Sequence, residues 1–439
     1  MKNPVSGFSK LTKTEKINWL TTNYFEGNIS AKNTLEQYWN TNLSLQKLHD
    51  DFIENTISNY YLPLGVAPNF LINDTLYTIP MVIEESSVVA AASNAAKFWL
   101  EKGGFKAEII STTKNGQVHF NYFGNFNDLQ TFFNETKPAL ISGIETLQTN
   151  MKKRGGGLID ITLVDSTKKL EGYYQLHCTF ETLDAMGANF INSCLETIAT
   201  IFESKTQEYT PFKISEKTPE IVMSILSNFV PECTVKASVS CPVESLTVGK
   251  ISGQVFAEKL TRAVAIAKAE PRRAVTHNKG IMNGVDAVIL ATGNDFRAVE
   301  AGVHAFAAKN GNYSSLTHAA IENGIFTFWI ELPLALGTVG GLTSLHPLVK
   351  FAFDLLQKPN AKELMKIVAV AGLAQNFAAL KSLVTTGIQK GHMKMHLMNI
   401  LNGLNATSTE KEQAIEHYKT NPVSHSNVVT FISNLRDIK

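Results

Sequence analysis

Residues 271–300 read PRRAVTHNKGIMNGVDAVILATGNDFRAVE, and the reading of this stretch organises the rest. An apolar run at 288–291 follows the turn-rich Asn283-Gly284 and stops at Thr292-Gly293. Short apolar runs bounded by turn residues predict a buried strand. Past Asn294-Asp295 the spacing of Phe296, Val299, Val303 and Phe306 becomes helical, with Gly311 just beyond the end. On this reading Asp295 stands where a buried strand hands over to a helix, and Lys279 lies in the loop before the strand. A lysine and a carboxylate delivered to one end of a buried strand can support chemistry on a carbonyl. The plainer alternative stays open, because Asp is a favoured helix N-cap and a loop lysine is ordinarily a solvated cation.

At 439 residues the chain exceeds the roughly 250–300 at which a single core stops growing, so two or more domains are expected. Apolar residues make up 44%, which excludes a disordered chain. Charged residues are only 18%, against roughly 25% in a typical soluble domain, which implies covered surface and hence an oligomer. A net charge of +1 argues against a general nucleic-acid or anionic-membrane binder. The N-terminus has no apolar core of signal-peptide type. The longest charge-free apolar stretch, 332–349, is interrupted by Pro333, Gly337, Gly340, Gly341, His346 and Pro347, too broken for a membrane span. Cys178, Cys194, Cys233 and Cys241 form no CxxC pair, so neither zinc nor a disulfide frame is implied. A cytoplasmic protein is expected.

Along the chain, Thr12 and Glu15 form a capping box opening a helix through Leu20, and residues 34–60 read as further helix. Residues 61–68, YLPLGVAP, read as extended, and Ile72-Asn73-Asp74 as a turn before a strand at 77–83. Glu84-Glu85-Ser86-Ser87 leads into a helix of small residues at 88–102, stopped by Gly103-Gly104. Alternating stretches at 106–110, 117–123, 158–164 and 172–180 are interleaved with helical ones at 127–151 and 188–203. Strands with helices packed on one face predict a small α+β domain inserted in a larger one, with hinges near 155–157 and 217–219. Residues 221–388 return to the large domain, with alanine-rich helices at 254–269, 296–309 and 361–383. The polar, amphipathic tail after Gly391 reads as a small mobile helical segment.

Several constellations carry chemistry, each beside a plainer reading. Glu84-Glu85 offers a general acid if a carboxyl is shielded from water; equally, the pair can simply favour the following helix's dipole. His392 and His396, four apart, share a helix face as metal ligands do, but HExxH is absent and no third ligand is near. A titrating histidine serving as proton donor fits better. Lys152-Lys153-Arg154 before three glycines can bind a phosphate or be a solvated helix end. No GxGxxG follows a strand and no GxxxxGK[ST] occurs, so neither a Rossmann domain nor a P-loop is supported. GxSxG is missing as well, and no cysteine has a histidine setting that suggests a nucleophile.

Taken together these pieces resemble a known family. The stretches are EN at 54–55, LPLG at 62–65, PMVIEESSVVA at 80–90, DAMGAN at 184–189, RAVTHNKGIMNG at 273–284 and ATGNDFRAVEAG at 291–302. GTVGG at 337–341, GLAQN at 372–376 and GIQKGHM at 387–393 complete the set. In this order over about 54–398, the chain resembles the hydroxymethylglutaryl-CoA reductases of the class II, bacterial branch. The first fifty and last forty residues match only in general character.

The resemblance implies an α+β fold. A large, mostly helical CoA- and substrate-binding domain would comprise 1–108 and 221–388, including an N-terminal helical segment at 1–50. A small α+β, ferredoxin-like dinucleotide-binding domain would be inserted at 109–220, and 389–439 would form a small helical C-terminal flap. The implied reaction takes hydroxymethylglutaryl-CoA and two NAD(P)H to mevalonate, CoA and two NAD(P)+, without a metal. Lys279 matches the lysine that stabilises the developing oxyanion. Glu85 matches the carboxyl that exchanges protons with the aldehyde-level intermediate, and Asp295 the aspartate linking lysine and glutamate. His392 matches the histidine that protonates the departing CoA thiolate. Ser87, Arg273 and Asn283 match positions holding the acyl part. Asp184, Met186, Gly187, Asn189 and Asn228 match a dinucleotide site that is not Rossmann-like. At position 148, where NAD-preferring relatives carry an acidic residue, stands Gln148 with Lys152, Lys153 and Arg154 close by, which points to NADP(H) over NAD(H). Ser9, with Lys10 adjacent, stands where relatives place an arginine near CoA. The family's site lies between the subunits of a dimer, so a homodimer or larger assembly is expected, with no nucleic acid and no membrane. A CoA-thioester hydrolase without a redox step, or a catalytically silent homologue, are the competing readings.

Overall fold

The computed structural model describes residues 4–385, 387 and 397–437. His392 and His396, with the first residues of the expected flap at 389–396, lie outside them. The chain divides into two compact units, Met1–Pro63 and Leu64–Lys439.

The first unit is helical: α1 (Lys13–Tyr24), α2 (Ile29–Gln37) and α3 (Leu43–Asp50). The capping box forms as expected, with Thr12 Oγ1 accepting from Glu15 N and Thr12 N donating to Glu15 Oε2. The continuous helix expected over 34–60 does not form. Asn42 caps α3 afresh by accepting from Leu45 N. Gln46 Oε1 takes the Asn40 amide at 2.6 Å. Asn and Gln side chains thus satisfy backbone groups that a helix would otherwise have paired.

The second unit opens with the hairpin β1 (Leu64–Ile72) and β2 (Thr75–Val82). Its turn residues Asn73 and Asp74 both have positive φ, 46° and 68°, the backbone a tight hairpin requires. Helix α4 (Val88–Leu100) follows, then β3 (Lys106–Ile109). Two four-stranded sheets organise the rest. One has the order β5-β6-β4-β7, built from β4 (Lys114–Asn121), β5 (Gly157–Asp165), β6 (Tyr173–Glu181) and β7 (Glu220–Leu226), all antiparallel. It packs on α5 (Phe126–Gly143) and α7 (Ala188–Glu208) around its own core of Val118, Phe120, Leu129, Phe132, Leu195 and Phe202. The boundary expected at 220–221 therefore falls inside this sheet, because β7 pairs with β4 along its length. Helix α6 (Glu145–Lys152) is separated from α5 at Ile144.

The other sheet, β3-β8-β10-β9, adds β8 (Thr234–Pro242), β9 (Thr317–Glu322) and β10 (Ile325–Pro333). It shares a larger core with α4, α8 (Gly253–Ala269), α9 (Pro271–Ala291) and α10 (Ala361–Val384). Among the described residues α10 is the one helix long and apolar enough to cross a membrane, and 67% of its most apolar window is buried within the protein. Residues 397–432 contribute to a third small core, including Leu401, Ala414 and Val428.

The decisive stretch folds differently from expectation. Residues 288–291 are no strand but the last turn of α9, a 21-residue helix from Pro271 to Ala291. Lys279 accordingly sits on a helix, not in a loop. Asn283-Gly284 does not turn the chain. A Cβ at Gly284 would lie 2.5 Å from Ala371 O, and one at Gly372 would lie 2.8 Å from Val285 Cγ2. The two glycines face each other where α9 and α10 cross, so their missing side chains admit close helix packing. A helix end buried all round is apolar without a period, and there a strand and a core helix read alike.

Candidate active site

The β2–α4 connection and one face of α9 form a cleft. Ser87 is the N-cap of α4 with φ 75°, a left-handed conformation for a non-glycine residue, and its hydroxyl makes no capping bond. That unusual backbone leaves Ser87 and Glu85 on the cleft wall. Along α9, Arg273, Thr276, Lys279, Gly280 and Asn283 repeat at helical spacing and line the opposite wall. Lys279 Nζ donates to Glu85 Oε2 at 2.5 Å, and Asn283 Nδ2 reaches the same oxygen at 3.3 Å. The cleft encloses about 640 Å³ and continues between α4 and α10 past Asn94 to Lys381. The Lys279 and Glu85 side chains are 60% and 38% exposed. Exposed ion pairs contribute only ~0–1 kcal/mol, so this pairing adds little to stability.

Two groups beneath the pair were given no role from the sequence. His277 is 2% exposed, yet lines the cleft. Its Nε2 lies 2.5 Å from Thr317 Oγ1, and Thr317 donates onward to Asn376 Oδ1 at 3.1 Å. Thr317 having given its proton to Asn376, the His277 Nε2 carries the hydrogen. Burial, and then Arg273, push His277 down to about 3, so the ring is neutral. Burial also depresses the Arg273 guanidinium, which nonetheless stays charged. Gln375, on α10, presents a buried Oε1 with no partner on the same wall. The available signal was Gln375-Asn376 itself, two polar residues in the middle of an apolar helix.

Asp295 lies elsewhere. It caps the helix Phe296–Ala307, accepting from Arg297 N at 3.1 Å and Ala298 N at 3.2 Å, and pairs with the Arg297 guanidinium. Burial raises its carboxyl, but the Arg297 and Ala298 bonds outweigh that and hold it below the usual range. The N-cap reading is what this chain forms, though at the end of a helix instead of a strand. Asp295 is not among the residues lining the cleft.

Of the expected nucleotide residues, Met186 and Asn228 line one small cavity of about 20 Å³ with Lys114. Gly187 begins α7 with φ 97°, where a Cβ would come 2.6 Å from Thr182 Cγ2. Asp184 Oδ1 accepts from Ala361 N at 2.8 Å, at the start of α10, and Asn189 is exposed on the first turn of α7. Gln148 does not face solvent as a ribose-facing side chain would. It is 1% exposed, donates to Glu145 Oε2 and accepts from Leu158 N at 3.0 Å each, and so ties α6 to β5. Lys152 is likewise taken, by Glu145 at 2.7 Å. Burial pushes the Cys194 and Cys233 thiols up to about 11, which removes them as nucleophiles. Among the described residues no three His, Cys, Asp or Glu side chains cluster as metal ligands.

A helical large core, a separate antiparallel sheet inserted between Glu85 and Lys279, and an ammonium–carboxylate pair in a deep cleft define the class. A family model described as hydroxymethylglutaryl-coenzyme A reductase matches residues 14–397, and the chain belongs to that family. It is 36% identical over 416 residues, 95% of this chain and 91% of the relative, to 3-hydroxy-3-methylglutaryl-coenzyme A reductase of Archaeoglobus fulgidus. A class II enzyme from Streptococcus pneumoniae, solved bound to NADPH in open conformations, superposes with TM-score 0.71 at 34% identity, covering 87% of this chain and all of that one. Another structure of the Streptococcus pneumoniae reductase matches at TM-score 0.71 and 33% identity over 98% of this chain and all of that one. The α+β fold is that of the class II branch, as the sequence motifs implied, and the protein is an NAD(P)-dependent oxidoreductase.

Proposed function

We propose that the protein interconverts hydroxymethylglutaryl-CoA and mevalonate plus CoA by two successive hydride transfers. The observation that carries the reading is Lys279 Nζ within 2.5 Å of Glu85 Oε2, with Asn283 on the same oxygen, in a cleft of about 640 Å³. Reduction of one thioester to an alcohol consumes two hydrides and two protons, so the protein has to stabilise one oxygen and protonate two atoms. Lys279 holds the charge that develops on the acyl oxygen. His392 protonates the departing CoA sulfur, and Glu85 protonates the alkoxide of the second reduction. Ser87, whose hydroxyl is free of capping duty, and Arg273 hold the acyl part.

The nicotinamide nucleotide supplies the hydride. Met186 and Asn228, which share a small cavity, with Asp184, Gly187 and Asn189 would hold it, on a loop that Gly187 and Gly337 allow to pack closely against Thr182 and Met186 N. Lys153, and Arg154 beyond its bonds to Asn150 O and Met151 Sδ, remain for a 2′-phosphate, which favours NADP(H) over NAD(H). The large domain at 64–108 and 227–388 carries the thioester, the inserted domain, which extends through β7 to Leu226, the nucleotide, and 389–439 close over them. Asp295 of a second copy supplies the carboxylate that links Lys279 and Glu85, in a homodimer. The low charged fraction supports that assembly, as do Leu342, Leu345, Leu348 and Phe351, four apolar side chains exposed within ten residues.

An absorbance assay of the purified protein with mevalonate, CoA and each oxidised nicotinamide tests the reading. Nicotinamide reduction dependent on both co-substrates is expected, faster with NADP+, and Lys279→Ala lowers kcat by ~10²–10³. Thiol release from the thioester with no nicotinamide change would favour the hydrolase instead. A rate tenfold or more higher with NAD+ would overturn the nucleotide preference.

A further inference from the structure

Asn294 precedes Asp295, and its side chain is engaged at both ends. Its Nδ2 donates to Thr292 O and Oγ1 at 3.3 Å each. Thr292 is itself fully buried and fixed to Val288 O at 2.8 Å. The Asn294 Oδ1 accepts from Gly337 N at 2.8 Å. Gly337 in turn lies so close to the backbone at 185–186 that a Cβ there would come 2.6 Å from Met186 N and 3.3 Å from Ala185 C. The contact continues along the chain: Thr338 N donates to Asp184 O at 2.8 Å, and Ala185 and Val339 form a parallel bridge. From the opposite side Lys114 Nζ donates to Ala185 O at 2.9 Å. The loop at 184–187 is therefore gripped between a buried ammonium and a strap, and the strap hangs from Asn294.

We infer that Asn294 is a positioning residue, which through the 337–339 strap holds the nucleotide-binding loop at 184–187 in fixed register with the Asp295 cap. The inference rests on the assignment of residues 184–189 to the nucleotide. Asn294 need touch neither substrate. Its carbonyl sets where Gly337 stands, Gly337 sets where Met186 stands, and the Asn294 backbone leads directly into the aspartate capping the helix Phe296–Ala307. Loss of that acceptor leaves the amide of buried Gly337 unpaired, and the strap relaxes towards water. A loop that is no longer held in its binding geometry has to be ordered by the nucleotide itself, which weakens the nucleotide and not the thioester.

The test uses the whole protein, with NADPH binding followed by nucleotide fluorescence and thioester KM followed by turnover. Asn294→Ala is expected to raise the NADPH Kd ~10-fold, within the usual range of coupling between sites, with thioester KM changed less than about two-fold. Asn294→Asp keeps an acceptor for Gly337 N and restores most of the affinity. Gly337→Ala drives a Cβ into Met186 N and gives the same selective loss. Unchanged NADPH affinity in both Asn294→Ala and Gly337→Ala overturns the inference. Equal weakening of both ligands overturns it too, since a merely structural asparagine would do that. If the unaltered protein binds no nicotinamide nucleotide, the nucleotide assignment itself fails, and the inference falls with it.

Discussion

His277 shows how a residue can be essential to a site's shape without being its acid or base. Its ring is held neutral by burial and by the nearby Arg273, with Thr317 and Asn376 completing the chain of bonds. In the unfolded chain the same ring titrates near 6.5, while in the fold it does so at about 3. Between those values the unfolded state binds the extra proton, so stability rises with pH. The contribution is complete above about 6.5 and is lost on acidification at up to ~1.4 kcal/mol per pH unit. His277→Gln removes the titration, so its urea midpoint is expected to fall less between about pH 7 and pH 4.5 than that of the unaltered protein. Equal falls would show that His277 carries a proton in the fold. The residue lay in full view within the RAVTHNKGIMNG motif, yet nothing in a one-dimensional pattern says which side of a helix is dry. By contrast Glu85, Ser87, Arg273, Lys279 and Asn283 were legible by motif, and the fold gathers all five in one cleft.

At the scale of elements, the crossing of α9 and α10 decides where Lys279 and Gln375 stand relative to one another. Gly284→Ala pits two effects against each other. Alanine in a helix interior gains ~1 kcal/mol over glycine, whereas overpacking a close contact costs ~1–3 kcal/mol. With a Cβ only 2.5 Å from Ala371 O the second wins, and a lower urea midpoint together with reduced turnover is expected. An unchanged or raised midpoint would mean that the helices separate without strain. The same crossing explains the misread stretch. Asn283-Gly284 looks like a turn because glycine signals backbone freedom, but here glycine serves proximity, and only the partner helix, whose reciprocal Gly372 lies 88 residues later, reveals that. Local signals fared well wherever they were local: the Thr12–Glu15 box, the Asn73-Asp74 turn and the strand after it form as expected.

For the whole molecule, the separation of Asp295 from the cleft is the informative result. A linear sequence states that lysine, glutamate and aspartate are all available; it does not state from which copy each is drawn. If the site is shared, Lys279→Ala and Asp295→Ala are each nearly inactive alone. Co-expressed, half of the random dimers are mixed, and each mixed dimer carries one site with both groups intact. Recovery of ~25% of the unaltered activity is then expected for a twofold assembly, measured as turnover per subunit. No recovery would place the linking carboxylate within a single chain.

The distance along the chain between Glu85 and Lys279, 194 residues, has a consequence for biosynthesis. A ribosome adding roughly 5–20 residues per second releases the carboxylate roughly 10–40 s before its ammonium. In that interval the inserted sheet emerges whole, from Lys114 to Leu226, with every residue of its core already translated. The nascent protein can thus finish its inserted sheet while one partner of the cleft's ion pair is still message.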